Sequence, residues 1–397
     1  MAKLTKRADG RYQMNVLIGK VEGKARYKTV YGATQREVQR KAEEVKAAIG
    51  KGLDITAQRD TFSAWRERWL KSKTCGAGQL ASYKSCSAHL LGALGECELC
   101  KIRTSDIQTL VNDLAEKGLS KKTLGQVRMA AKQIFELAIV NRVLDYNPAT
   151  AVTIPKTAKP PKQREALTDE QIRWVQETTD SKAYIPAMIM LYCGLRRGEV
   201  MALRWSDIDF TSRVIKVRRT VEMVNGQPVE KDGGKSDAAV RDVPIPDILM
   251  DCLRRVEPAP SKRGTILYPR ITARTTGELH TDKSWSRMWK SFMEDINILH
   301  GDFSFYRYKP KSKLDSRGVP CVIETFTPHQ LRHTYATLLY EAGVDVLMAQ
   351  KLLGHSKPET TLNIYTHLRE MHREIEVTKL NAYLNSDISQ IIVKKAN

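Results

Sequence analysis

Residues 325–367 read TFTPHQLRHTYATLLYEAGVDVLMAQKLLGHSKPETTLNIYTH and gather an arginine, two histidines and a tyrosine whose chemistry suits a phosphate. His329 and Arg332, three apart, fall on one face of a helix that Thr327 can cap and Pro328 can begin, with Gln330 as capping-box partner. Orphan backbone N–H groups and the positive end of the helix dipole meet at the same place, so an anion is expected there. Gly354-His355 closes the next helix, and Tyr365 lies further on. No acidic pair is positioned to hold a metal. Taken alone, these residues suit equally well a DNA-binding helix whose Arg332 grips phosphate and whose Tyr365 packs.

The elements that must carry them belong to a chain of 397 residues, too long for one core and long enough for two or three domains. Lys and Arg number 65 against 45 Asp and Glu, a net charge of +20 that calls for a polyanionic partner. Nucleic acid fits better than a membrane surface, because no apolar run reaches spanning length and MAKLTKR is no signal peptide. A cytoplasmic protein is expected. Its seven cysteines are an odd, scattered set that fits reduced thiols. Cys97 and Cys100 make one CxxC pair, yet a second pair or a His pair at finger spacing is missing, so no zinc is expected.

In chain order, Tyr12, Met14, Val16 and Ile18 alternate, a turn is expected over Gly19 to Gly23, and strand character resumes from Arg26 to Tyr31. Thr34 and Glu37 then cap a helix with Val38, Ala42, Val45 and Ile49 on one stripe. Helices follow over 60–148, with Trp65 and Trp69 as core aromatics and Asn147-Pro148 as the stop. The Pro- and Lys-rich segment 153–165 reads as an extended linker. Thr168 and Gln171 cap the next helix. In GLRRGE, one helix stops at Gly194 and another starts near Arg197, leaving Arg196 in the joint and Glu199 as its buried orienting partner. Arg197 and Arg204 are expected to face solvent or phosphate. Strands follow over Val214–Val221 and from Arg241, around an Asn225-Gly226 turn. Residues 297–323 read as a protruding β-hairpin, with Phe303, Phe305 and Arg307 on one face.

HQLRH, LGHS and TTLNIYTH, in this order and spacing, resemble the catalytic signature of the tyrosine recombinases of the phage integrase family, and GLRRGE resembles the motif bearing that family's first arginine. KSDAAVRDVP resembles its lysine-bearing β-turn, with Ala239 where a serine is usual. Lys231 is the competing lysine. The resemblance implies an α+β multidomain chain: a small β-sheet plus helix that binds arm-type DNA (1–55), an all-helical core-binding domain (60–150), a linker (151–165) and a mostly helical catalytic domain with a small antiparallel sheet (166–397). The last would carry a β-hairpin insertion at about 300–323, of the kind conjugative-transposon integrases have, and a tail at 370–397.

It further implies a catalytic set of Arg196, Lys235, His329, Arg332, His355 and Tyr365. Guanidiniums and His355 would bind the phosphate, Tyr365 would attack it, His329 would take the phenolic proton and Lys235 would protonate the leaving 5′-oxygen. His333 is expected to act from behind. No cofactor or metal is expected. The implied partners are double-stranded DNA at core-type and arm-type sites, three further copies in a tetramer, and a directionality factor as candidate accessory. A type IB-like topoisomerase and a non-catalytic DNA-binding regulator are the competing readings.

Overall fold

The computed structural model describes residues 4, 6–21, 24–54, 59–160, 165–224, 226–233, 237–257, 270–274, 276–371 and 381. The chain divides into two compact units, residues 1–162 and 163–397.

The first unit holds two apolar cores. β1 (Tyr12–Val21) and β2 (Lys24–Gly32) pair antiparallel, with Tyr12 opposite Gly32 and a bulge between Leu17 and Gly19. Pairing runs on to Val21 and Lys24, so the turn is shorter than the expected Gly19 to Gly23. The ladder simply continues past Gly19. α1 (Gln35–Gly50) begins where Thr34 Oγ1 accepts from Glu37 N at 3.2 Å, and it lays Val38, Ala42 and Val45 on Val16 and Val30 of the ribbon.

The second core is helical: α2 (Phe62–Lys71), α3 (Ala77–Leu94), α4 (Thr104–Glu116) and α5 (Lys121–Val140). Trp65 and Trp69 are both buried in it, and Trp69 Nε1 donates to Gln133 Oε1 at 3.2 Å. The described part of the expected extended linker, residues 151–160, is docked on this core. Val152 and Ala158 are buried, Lys121 N donates to Lys159 O, and Gln108 clasps Thr153 through both its amide atoms. Pro and Lys set the chain's stiffness, but two well-spaced apolar side chains were enough to dock it.

The second unit starts with α6 (Asp169–Glu177), capped by Thr168 and Gln171 as expected. α7 (Tyr184–Cys193) is apolar on nearly every face because it runs through the core, packed on α11 (Pro328–Glu341). α8 (Arg197–Ala202) follows. β3 (Ile208–Asp209), β4 (Val214–Val217) and β7 (Arg241–Pro244) form one antiparallel sheet in the order β3-β4-β7. β5 (Arg219–Val224) and β6 (Gln227–Asp232) form a separate ribbon. Glu230 holds that ribbon at its base, taking Arg204 Nη2 and Arg270 Nη1 on its two oxygens. Arg204 is thus tied down rather than free to face phosphate, because a buried-edge carboxylate lies within its reach.

The unit is completed by α9 (Asp247–Val256), α10 (Asp282–His300), α11, α12 (Val346–Leu353) and α13 (Pro358–Met371). Residues 301–323 contain no strand. In a β-strand Phe303 and Phe305 would share a face. Here Phe303 is 6% exposed and Phe305 94%. Side chains take the donors and acceptors that a ladder would have used: Asp302 accepts from Ser304 N, Asp315 from Arg317 N, and Asn297 bonds both Val322 N and Pro320 O. Lys313 reaches back to Asp295 at 2.7 Å. The expected protruding hairpin is therefore a turn-rich loop strapped to α10. The tail expected at 370–397 falls, residues 370, 371 and 381 apart, outside the described residues.

Candidate active site

Two glycines build the floor. Gly194 ends α7 and Gly354 ends α12, both in the left-handed region, at φ +62° and +63°. Such a cap turns the last carbonyls of a helix outward, and at α12 three arginines collect them. Leu352 O accepts from Arg241 Nε at 2.7 Å, Leu353 O from Arg332 Nη2, and Gly354 O from Arg196 Nη2 at 2.5 Å. The negative end of the α12 dipole favours this cationic cluster. Arg332 also donates through Nη1 to Gly194 O, so its planar fork is locked between two helix ends.

Glu199 is the counter-charge. It is 4% exposed and takes Arg241 on both oxygens, at 3.1 and 2.9 Å, while Oε1 accepts Arg196 Nη1 at 2.8 Å and Oε2 accepts Arg196 N at 2.8 Å. Burial alone would raise its carboxyl, but Arg241 and then Arg196 outweigh that and hold it below the usual range. Arg332 is 4% exposed, and burial with the Arg196 charge beside it pushes its guanidinium down to about 9. It remains charged at neutral pH. One buried carboxylate thus serves three guanidiniums, and the excess positive charge faces a cleft of about 600 Å³ lined by Arg196, Arg197, Trp285, Lys290, His329 and Arg332.

His329 sits at the start of α11, beside the expected cap: Gln330 Oε1 accepts Thr327 N at 2.9 Å. His333 is half-buried and does not line the cleft. Arg197 lines it and pairs with Asp282 at 2.8 Å. His355 follows Gly354, and its Nδ1 lies 2.8 Å from Thr361 Oγ1. Burial, with Arg332 and Arg196 nearby, lowers the imidazole to about 4, so it is neutral at pH 7.

That shift has a consequence for stability. The unfolded chain takes up this proton near 6.5 and the native chain does not, so the native state loses stability as pH falls from about 6.5 towards 4. His355→Gln should therefore make the urea midpoint fall less between pH 7 and pH 5. An unchanged pH dependence would contradict a neutral, half-buried His355.

Tyr365 lies on α13, half-buried, its ring 5.2 Å from that of Tyr340 and nearly perpendicular to it. Its hydroxyl donates to Val344 O at 3.3 Å. Burial, then Asp345, pushes the phenol up to about 12. Tyr335 packs in the same small core as Tyr365. Lys235 lies outside the described residues. Its competitor Lys231 pairs with Glu222 across the ribbon at 2.6 Å.

The structure thus brings Arg196, His329 and Arg332 to one cleft, and sets His355 on the turn that binds Arg196. Arg241 was legible only as part of a spacing pattern, and its organising contacts were not. Thr361 went unnoticed, although its position four residues before Tyr365 puts both on one face of a helix. Among the described residues no group of three or more His, Cys, Asp or Glu could hold a metal ion. Likewise, among the described residues no helix is long and apolar enough to cross a membrane.

The floor itself can be tested. A Cβ on Gly354 would sit 2.9 Å from both Ala238 O and Arg241 Nη1, besides forcing a non-glycine residue to φ +63°. Gly354→Ala should cost about 1–3 kcal/mol by urea titration. Arg196 should be displaced as well, because Gly354 O holds it.

Residues 160–372 match the profile of the phage integrase family. A XerC-like tyrosine recombinase of Caldanaerobacter subterraneus is 29% identical over 397 aligned residues, covering 93% of this chain and 95% of that one. Among solved structures, the Tn1549 transposon integrase in complex with transposon right end DNA superposes with a TM-score of 0.64 at 22% identity, over 81% of this chain and 100% of that one. The lambda integrase tetramer bound to a Holliday junction gives a TM-score of 0.51 at 19% identity, over 91% and 94%.

Proposed function

Since the chain belongs to the phage integrase family, the tyrosine recombinases that break and rejoin DNA, we propose a residue-by-residue route for its site-specific recombination. The observation that carries it is the Arg196–Arg332 pair, pinned by carbonyls at two helix ends with its surplus charge facing the cleft. Attack on a phosphodiester concentrates negative charge on the non-bridging oxygens, and fixed guanidinium forks match it with paired hydrogen bonds. Arg196 and Arg332 take these oxygens, and His355, neutral, donates one more N–H.

Tyr365 Oη attacks phosphorus. At pH 8 only about one phenol in 10⁴ of pKa near 12 is ionised, so a base must act, and His329 accepts the proton. The bond to the 5′-oxygen breaks, Lys235 protonates that oxygen, and a 3′-phosphotyrosine remains. Attack by a different 5′-hydroxyl reverses these steps and joins a new strand. The phosphodiester energy stays in the tyrosyl ester, so neither ATP nor metal is consumed.

The partner is double-stranded DNA, acted on by a tetramer through a four-way junction, as part of a mobile element in the cytoplasm and nucleoid. The 1–55 segment takes arm-type sites: its two-stranded ribbon fits a major groove, and Tyr27 on β2 is 59% exposed beside Arg26 and Lys28. Residues 60–150 cover the core site. The 300–323 loop offers exposed Arg307, Lys309 and Lys311 to DNA or to a neighbouring copy. The decisive experiment gives the protein two duplexes carrying the element's end sequences. Exchanged strands and a trapped four-way junction are expected. Relaxation of supercoils without paired sites would favour the topoisomerase reading, and binding without any cleavage would favour the regulator.

A further inference from the structure

Thr361 is 0% exposed, one turn before Tyr365 on α13, and its hydroxyl lies 2.8 Å from Nδ1 of the His355 imidazole. A neutral imidazole has one N–H, and whichever ring nitrogen carries it leaves the other as an acceptor. If Thr361 donates its O–H to Nδ1, the proton sits on Nε2, where it can be given to a phosphate oxygen. If Thr361 accepts from Nδ1, then Nε2 is a bare lone pair and faces a phosphate as a repulsive partner.

We propose that Thr361 is a positioning residue that donates to His355 Nδ1, fixes the Nε2–H tautomer and thereby makes His355 a phosphate donor only while the nucleophile's helix is docked. The inference rests on the reading of His355 as a phosphate ligand. Three further observations support it. Burial, and then the positive charge of Arg332 and Arg196, keeps the ring from becoming doubly protonated, so the tautomer matters at neutral pH. Gln350 takes the backbone rather than the ring of His355: its Nε2 donates to His355 O at 3.0 Å. Thr361 and Tyr365 are four apart, so a shift of α13 that moves the phenol also moves the hydroxyl. One hydrogen bond thus couples a helix's position to the electrophilic half of the site, and an undocked α13 leaves both nucleophile and donor unset.

The test uses the full-length protein on a nicked core site and follows adduct formation in single turnover. Thr361→Val keeps the shape and removes the hydroxyl. Its rate should fall roughly 10- to 100-fold, by analogy with metal-bound histidines that lose an orienting partner, with unchanged DNA affinity. Thr361→Ser should restore most of the rate. In the His355→Gln background, Thr361→Val should cause no further loss. ¹⁵N spectra of the histidines should show an unprotonated Nδ1 at His355 in the parent and a tautomer mixture in Thr361→Val.

Equal slowing by Thr361→Val in both backgrounds, or failure of serine to rescue, would mean a packing role and overturn the proposal. If His355→Gln slows the reaction and Thr361→Val does not, the coupling is wrong but the phosphate role of His355 stands. If His355→Gln itself has no effect, that role falls and the proposal with it.

Discussion

Tyr365→Phe is expected to bind DNA within about twofold of the parent yet to lose covalent adduct by at least about 10⁴-fold, since no other nucleophile replaces the phenol. The fold should barely notice. The ring keeps its contact with Tyr340, and the hydroxyl gives up one long bond to Val344 O, worth about 1 kcal/mol or less. Gel shift and denaturing electrophoresis on the same sample separate the two effects. Adduct at even a hundredth of the parent's rate would move the nucleophile elsewhere.

Arg332→Lys should be the next most damaging, although it conserves charge. A lysine is a point donor and cannot bridge Gly194 O and Leu353 O while presenting a planar edge to phosphate. Losing one such fixed donor at a developing oxyanion costs about 10²- to 10³-fold in rate. The buried carbonyl left unpaired costs a further ~1–3 kcal/mol of stability. Glu199→Ala should reverse the balance. It removes the shared counter-charge of Arg196 and Arg241, so the thermal midpoint should drop steeply, with about 3–5 kcal/mol at stake for a buried pair. Comparable losses of stability in both variants would argue against a division between a phosphate-binding and a charge-balancing residue.

What could be read in the sequence was what lies close in it. Thr327, Pro328 and Gln330 announce the start of α11 because a capping box spans only four residues. Gly194 announced a stop for the same reason, and Arg196 and Glu199 sit three apart across one joint. The assembly of the floor was not legible. Arg332 reaches Gly194 across 138 residues and Arg241 reaches Leu352 across 111, and such contacts depend on how α7, α11 and α12 pack rather than on any local pattern.

One stretch was misread, and another held contacts its composition did not announce. Alternating aromatics at 303–308 imitate a strand, but asparagine and aspartate side chains satisfied the backbone before a partner strand could. At 151–160 no helix or strand forms, and Val152 and Ala158 dock the segment on a core that its Pro and Lys content did not announce.

The account stands on a phenol reaching a phosphorus whose charge is met by protein cations. The most direct measurement traps the parent protein on a nicked core site in excess EDTA, digests the adduct and maps the DNA-bearing peptide. The prediction is a peptide joined at Tyr365 to a 3′-phosphate, formed at the same rate with or without magnesium. A strict need for magnesium, a 5′-phosphoryl linkage or attachment at any other side chain would contradict it.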